Sequence, residues 1–200
     1  MSDVRVAAIS ESLPKRLAGD WRDIKGNFGP PGEQVDLSEI SAYANLDDLP
    51  MIDKELFEDF IPYRRYYLTI TNRGCVRKCS FCSENFKDEW ESANRLGSFM
   101  RDTSVDKVIA EFRHMRDKYG LAYIDIKNNV LSGSKKWTLE FLARYKAEVG
   151  LPFRIMGYPR LLTKEVTQAL RDAGCHHIQM GIESFNERIR REVLLRPETN

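Results

Sequence analysis

Arg73-Gly74-Cys75-Val76-Arg77-Lys78-Cys79-Ser80-Phe81-Cys82 is the stretch that decides how the rest of the chain reads. Three of the four cysteines lie within it, spaced Cys-x3-Cys-x2-Cys. Clustered thiolates at this spacing are a metal-binding set. Structural zinc takes four protein ligands, and the nearest histidine is His114. Three thiolates suit an iron-sulfur cluster that leaves one iron to an outside ligand. Gly74 lets the chain leave the preceding strand in a tight turn. Arg73, Arg77 and Lys78 put positive charge beside the thiolates, favouring electron uptake by a cluster; a solvated basic loop is the plainer reading of the same three residues. A zinc site or a non-catalytic iron-sulfur site is the plainer reading of the cysteines.

Upstream, Tyr66-Tyr67-Leu68-Thr69-Ile70-Thr71 is β-branched and aromatic and reads as a strand running into Gly74. Downstream, strands and helices alternate. Thr103 or Ser104 caps a helix over 105–119, with Val105, Val108, Ile109, Phe112 and Met115 on one face and Gly120 at its end. A strand follows at 122–127, then a helix over 135–148 capped by Ser134. A third strand spans 153–158, and a helix started by Thr163 ends at Gly174. The fourth strand spans 177–182, and Ser184-Phe185-Asn186-Glu187 reads as a capping box opening a last helix. Alternation of this kind means βαβ units, an α/β fold and a parallel sheet with right-handed crossovers. In such sheets chemistry gathers at the carboxyl ends of the strands. The cysteine loop and Gly181-Ile182-Glu183-Ser184 therefore fall on one rim, about 100 residues apart in sequence.

Residues 1–60 read as an N-terminal segment and linker. A short strand at 4–9, a dense turn at 26–32 and a short helix near 53–60 are its only local signals. Residues 61–200 read as the core, incomplete at the C-terminus. Charged residues at 30% and hydrophobics at 42% are ordinary for a soluble globular chain. A net charge of +1 gives no large field toward nucleic acid or membrane. No apolar run approaches the roughly 20 residues that span a bilayer. The N-terminus lacks a signal-peptide pattern, and bunched cysteines do not form a secreted disulfide framework, so the expected compartment is the cytoplasm.

At Cys75, Cys79, Phe81 and Cys82 the sequence resembles the radical S-adenosylmethionine superfamily, whose loop is Cys-x3-Cys-x-aromatic-Cys. The resemblance covers about residues 46–200. It implies a partial TIM-like (β/α) parallel barrel of radical SAM type, with about four of six βα units present. It also implies a 4Fe-4S cluster on Cys75, Cys79 and Cys82, with S-adenosylmethionine chelated at the open iron and reductively cleaved to a 5′-deoxyadenosyl radical. Methyl transfer or another radical modification would follow, with the substrate unknown. An electron donor such as flavodoxin or ferredoxin is the implied partner.

Cofactor contacts are implied at Phe81, Asn128, Arg160, Glu183, Ser184 and Arg196. Phe81 would seat the adenine largely through its backbone. Gly181-Ile182-Glu183-Ser184 is similar to a Gly-x-Glu-Ser segment whose carboxylate contacts S-adenosylmethionine. Strand alternation should turn Glu183 toward the barrel interior with Gln179 and Gly181. Asp125, Lys127 and Asn129 should share one face of the second strand; related proteins carry an Asp-Asp pair near Lys127-Asn128, so the amino-group contacts there are open. Leu46-Asp47-Asp48-Leu49-Pro50 resembles the junction of cobalamin-binding relatives. No Asp-x-His-x-x-Gly motif precedes it, so cobalamin enters only through a domain not present in this chain. Rival readings are a non-catalytic iron-sulfur electron-transfer or structural module and, ranked low, a methylthiotransferase.

Overall fold

A computed structural model describes residues 45–51, 54–63, 65–93 and 97–198. The strand expected at 4–9 and the turn at 26–32 lie outside the described residues. Four strands form a parallel sheet: β1 (Tyr67–Thr69), β4 (Ile124–Ile126), β5 (Phe153–Met156) and β6 (Cys175–Gln179), in the order β1-β4-β5-β6. A second, two-stranded antiparallel ribbon pairs β2 (Asn72–Arg73) with β3 (Arg101–Asp102). The helices are α1 (Ser83–Ala93), α2 (Val105–Tyr119), α3 (Lys135–Glu148) and α4 (Lys164–Asp172). The expected α/β architecture holds: this is a partial β/α barrel of four parallel strands with helical crossovers.

The helices α2 and α3 have the boundaries read from the sequence. Ser104 Oγ accepts from Lys107 N at the start of α2, and Gly120 closes it in the left-handed conformation. Ser134 Oγ accepts from Trp137 N to start α3, and Thr163 does the same for α4. The buried stripe of α2 is Val105, Val108, Ile109, Phe112, Met115 and Tyr119. It packs on the outer face of the sheet, where Tyr67, Ile124, Phe153 and Ile155 are all buried. Phe112 sits at the middle of this core, edge-on to Tyr67, Phe141 and Tyr145 at ring separations of 6.1–6.3 Å.

The register sets the inner face as well. Leu68, Asp125, Arg154 and His177 lie in one row across the four strands. Asp125 is buried, and Arg154 Nε donates to its Oδ1 at 2.8 Å. Lys127 Nζ is farther off, at 3.9 Å. The polar side expected of the second strand is therefore real, and Asp125 is held mainly by Arg154.

Several elements depart from expectation. α1 was not foreseen, because it carries no buried stripe; contacts along the helix, Lys87–Glu84 at 2.5 Å and Asn85–Glu89 at 3.3 Å, lie on its surface. The fourth strand starts earlier and stops at Gln179 rather than 182. The last helix is a π-helical turn, Ile189–Val193. Just ahead of it Asn186 Oδ1 accepts from Ile189 N at 3.1 Å, while Ser184 Oγ accepts from Asn186 N at 3.2 Å. Residues 45–51 lie along the start of α2. Asp47 Oδ1 accepts from Ser104 N at 2.8 Å, and Lys107 Nζ reaches the carbonyls of Asp47 and Leu49. Among the described residues no helix is long and apolar enough to cross a membrane.

Candidate functional site

The cysteine loop leaves the sheet at the carboxyl end of β1. Thr71 N donates to Asn128 Oδ1 at 2.8 Å, and Asn128 Nδ2 donates to Thr71 Oγ1 and Leu131 O. Asn128 is thus a buried clamp between the ends of β1 and β4, and its side-chain amide is spent within the fold. The next residue, Asn129, donates to Gly74 O at 3.2 Å. Gly74 has φ +85°, and a Cβ there would stand 2.2 Å from Phe99 O, so only glycine fits between the loop and the strand that returns alongside it.

All three loop cysteines are free thiols. Cys79 is buried; Cys75 and Cys82 are half-buried. Burial lifts the Cys75 thiol above its ordinary range, and the neighbouring Cys79 and Cys82 push in the same direction while a backbone hydrogen bond from Arg77 opposes them. Among the described residues no three His, Cys, Asp or Glu side chains converge as a ready-made metal cage. Three thiols on one loop are the kind of donor set that a four-iron cluster with an open corner takes.

The loop is docked on a segment more than 100 residues away in sequence. Arg77 Nη2 donates to Leu195 O at 2.8 Å. Ser80 Oγ donates to Val193 O at 2.6 Å and Ser80 N to Leu194 O at 3.3 Å. The Arg77 guanidinium also lies 5.0 Å over the Tyr158 ring, and Arg196 lies 5.8 Å from the same ring. Burial pushes the Tyr158 hydroxyl up to about 12. Lys78 pairs with Asp88 at 3.0 Å. Of the three cations expected beside the thiolates, Arg77 is thus drawn to Leu195 and Tyr158 and Lys78 to an acid on α1.

Glu183 and Arg196 meet each other. Arg196 Nη1 donates to Glu183 Oε1 at 3.2 Å, and Arg196 Nε lies 3.7 Å from Glu198. The alternation expected to orient Glu183 does not apply, because β6 has already ended and Glu183 has φ 65°. Gly181 makes the approach possible: a Cβ there would lie 2.1 Å from Glu183 Oε1. Gly181, Ile182, Phe185 and Arg196 line a cavity of about 290 Å³. Ser184 shapes the turn that follows and takes Arg190 Nη1 on its carbonyl at 2.7 Å. Phe81 is exposed on the loop, and Arg160 is exposed in the 3-10 turn Pro159–Leu161 after β5. Cys175 opens β6 half-buried, with its thiol raised to about 11 by burial.

Two halves of a rim therefore come together: the cysteine loop at the end of β1, and the 181–198 segment after β6. Their contacts run through backbone carbonyls of residues 193–195, which have no sequence signature, so the sequence points to Arg77 only as a cation beside the thiolates and does not point to Ser80 at all. Residues 69–199 match the radical SAM superfamily. The chain belongs to that superfamily.

The uncharacterized methyltransferase PH0819 of Pyrococcus horikoshii is 29% identical over 153 residues, 72% of this chain and 31% of that protein. Cytidylyl-2-hydroxyethylphosphonate methyltransferase of Streptomyces wedmorensis is 26% identical over 129 residues, 64% of this chain and 22% of that protein. The chain thus spans less than a third of the length of either relative. The radical S-adenosylmethionine methyltransferase TsrM of Kitasatospora setae shares the fold. Its structure with cobalamin and a 4Fe-4S cluster bound gives a TM-score of 0.51 at 16% identity, covering 62% of this chain and 23% of TsrM. With tryptophan and an S-adenosylmethionine analogue bound, the TM-score is 0.54 at 16% identity, covering 75% and 28%.

Proposed function

We propose that this chain is the core of a radical SAM methyltransferase, binding a 4Fe-4S cluster through Cys75, Cys79 and Cys82 and cleaving S-adenosylmethionine reductively. The observation that carries the reading is the docking of the cysteine loop, through Arg77 and Ser80, onto the segment bearing Arg196, itself paired with Glu183. When bound, the cluster supplies the electron that cleaves the cofactor's carbon–sulfur bond. The protein's part is to hold the thiolates and orient the cofactor. Glu183 and Arg196 form an opposite-charge pair beside a cavity, and an amino-acid zwitterion can exchange into such a pair: its ammonium toward Glu183, its carboxylate toward Arg196. Ile182 and Phe185 offer apolar surface for the remainder of the cofactor. Phe81, Arg160 and Ser184 are the further cofactor contacts in this reading, with Asn128 placing Asn129 and the loop.

Methyl transfer is supported by the names of both relatives. Any cobalamin would be held by a part of the protein outside these residues. Free thiols and an electron donor such as flavodoxin or ferredoxin fit a reducing cytoplasm. The test is anaerobic reconstitution with iron and sulfide, followed by dithionite and S-adenosylmethionine. Formation of 5′-deoxyadenosine that disappears in Cys79→Ala supports the reading. A cluster whose EPR spectrum ignores S-adenosylmethionine would sink it in favour of a non-catalytic electron-transfer or structural module.

A further inference from the structure

A second cavity of about 290 Å³ has Gly74, the residue before Cys75, in its wall. Four cations line it: Arg73, Lys87, Arg101 and Lys127. Only two carboxylates do, Glu84 and Glu91. Arg73 and Arg101 are directly opposed across the β2–β3 ribbon, a like-charge juxtaposition that destabilises a strand pair unless something compensates it. Arg73 donates only to its neighbour's carbonyl, Asn72 O at 3.1 Å, among the described residues. The Arg101 side chain is 10% exposed. Its Nη2 lies 3.2 Å from Glu91, yet its Nε and Nη1 are buried with no hydrogen-bond partner among the described residues. Buried guanidinium N–H groups left unsatisfied are costly, and an oxyanion is the ligand that satisfies them, two N–H groups at a time.

We propose that this cavity binds a doubly charged oxyanion, a phosphate ester or phosphonate group carried by the small-molecule substrate, through Arg73 and Arg101. The surplus of two positive charges over the lining carboxylates matches a dianion better than a single carboxylate. The chain's net charge of +1, with these four cations gathered in one cavity, fits a small ligand rather than a polyanion. An anion held against Gly74 stands beside the cluster-binding loop, where a substrate must be for the reaction proposed above. The inference rests on that reading only for its link to catalysis; the binding itself is independent of the cluster.

The test uses the 200-residue chain without cluster, titrated with methylphosphonate and, separately, with acetate at low ionic strength, by calorimetry. Methylphosphonate should bind about tenfold or more tighter than acetate, the difference one charge-assisted hydrogen bond makes. Arg73→Gln, at an exposed site, should weaken it by about the same factor. Glu84→Gln should tighten it. Near-UV circular dichroism identical to the parent protein confirms that each variant is folded; Arg101→Lys, which keeps charge but loses the fork, should also weaken binding. Equal affinity for acetate and methylphosphonate, or no change in Arg73→Gln, overturns the proposal. Displacement of methylphosphonate by S-adenosylmethionine, with or without cluster, also overturns it, because the cations would then serve the cofactor carboxylate. A protein that binds methylphosphonate as described but forms no 5′-deoxyadenosine refutes the proposed reaction and leaves the anion site standing.

Discussion

Arg77→Ala tests whether docking of the cysteine loop governs cluster retention. Truncation removes the hydrogen bond to Leu195 O at 2.8 Å and the guanidinium 5.0 Å over the Tyr158 ring. Arg77 is half-buried. The hydrogen bond is therefore worth about 1.5 kcal/mol, the low end for a charged donor. The ring contact adds about 0.5 kcal/mol, as for an accessible site. Together they weaken docking by about 2 kcal/mol, or roughly 30-fold. Ser80→Ala, losing the 2.6 Å bond to Val193 O, should cost about 1 kcal/mol, roughly fivefold. The assay is iron and sulfide stoichiometry after anaerobic reconstitution, then the rate at which a chelator strips the iron. Wild type should hold iron longest, Ser80→Ala less and Arg77→Ala least, while the melting temperature of the metal-free protein changes little. Identical stripping rates in all three would refute the link between docking and retention. A large drop in metal-free stability for Arg77→Ala would show instead that the contact is a general structural one.

Other outcomes follow from the same geometry. Cys79→Ala should abolish both the cluster absorption and 5′-deoxyadenosine formation, measured in the reconstitution assay. Glu183→Gln should weaken S-adenosylmethionine binding by about tenfold, the worth of one charge-assisted hydrogen bond, with cluster content unchanged by iron assay. Phe112→Ala, at the centre of the aromatic core, should destabilise the fold by about 3–5 kcal/mol in urea melts. The Glu198 carboxyl is raised by burial but drawn down further by the Tyr158 hydroxyl and by Arg196 and Arg77, so it ends below its ordinary value. Its contribution is then present above the unfolded pKa and lost as pH falls through the folded one, so the melting-temperature gap between wild type and Glu198→Gln should hold from pH 7 to about pH 5 and narrow only as the pH falls below about 4.

What was legible in the sequence follows from how locally each feature is specified. The helices α2 and α3 were readable to their ends because a capping serine, an apolar stripe and, for α2, a C-terminal glycine agree. The parallel sheet followed from alternation. By contrast α1 buries nothing, so no periodicity marks it. The β2–β3 ribbon is two polar residues a side, too short for any pattern. Glu183 was recognisable by motif, but its orientation was not derivable from strand alternation, because β6 ends at Gln179 and the backbone at Glu183 is left-handed. Arg101 carried no local signal at all; only the fold shows it buried opposite Arg73.

The union of the cysteine loop with residues 193–195 also sets an order of events during synthesis. Ser80 and Arg77 find their acceptors 113 and 118 residues later. At translation rates of about 5–20 residues per second, the loop waits roughly 6–23 s on the nascent chain before its anchor exists. Through that interval the thiols are undocked and open to oxidation, so iron delivery should follow release of Leu195 from the ribosome. Nascent chains stalled before residue 190 should fail to retain iron that released chains keep; equal retention by both would show that the loop needs no anchor.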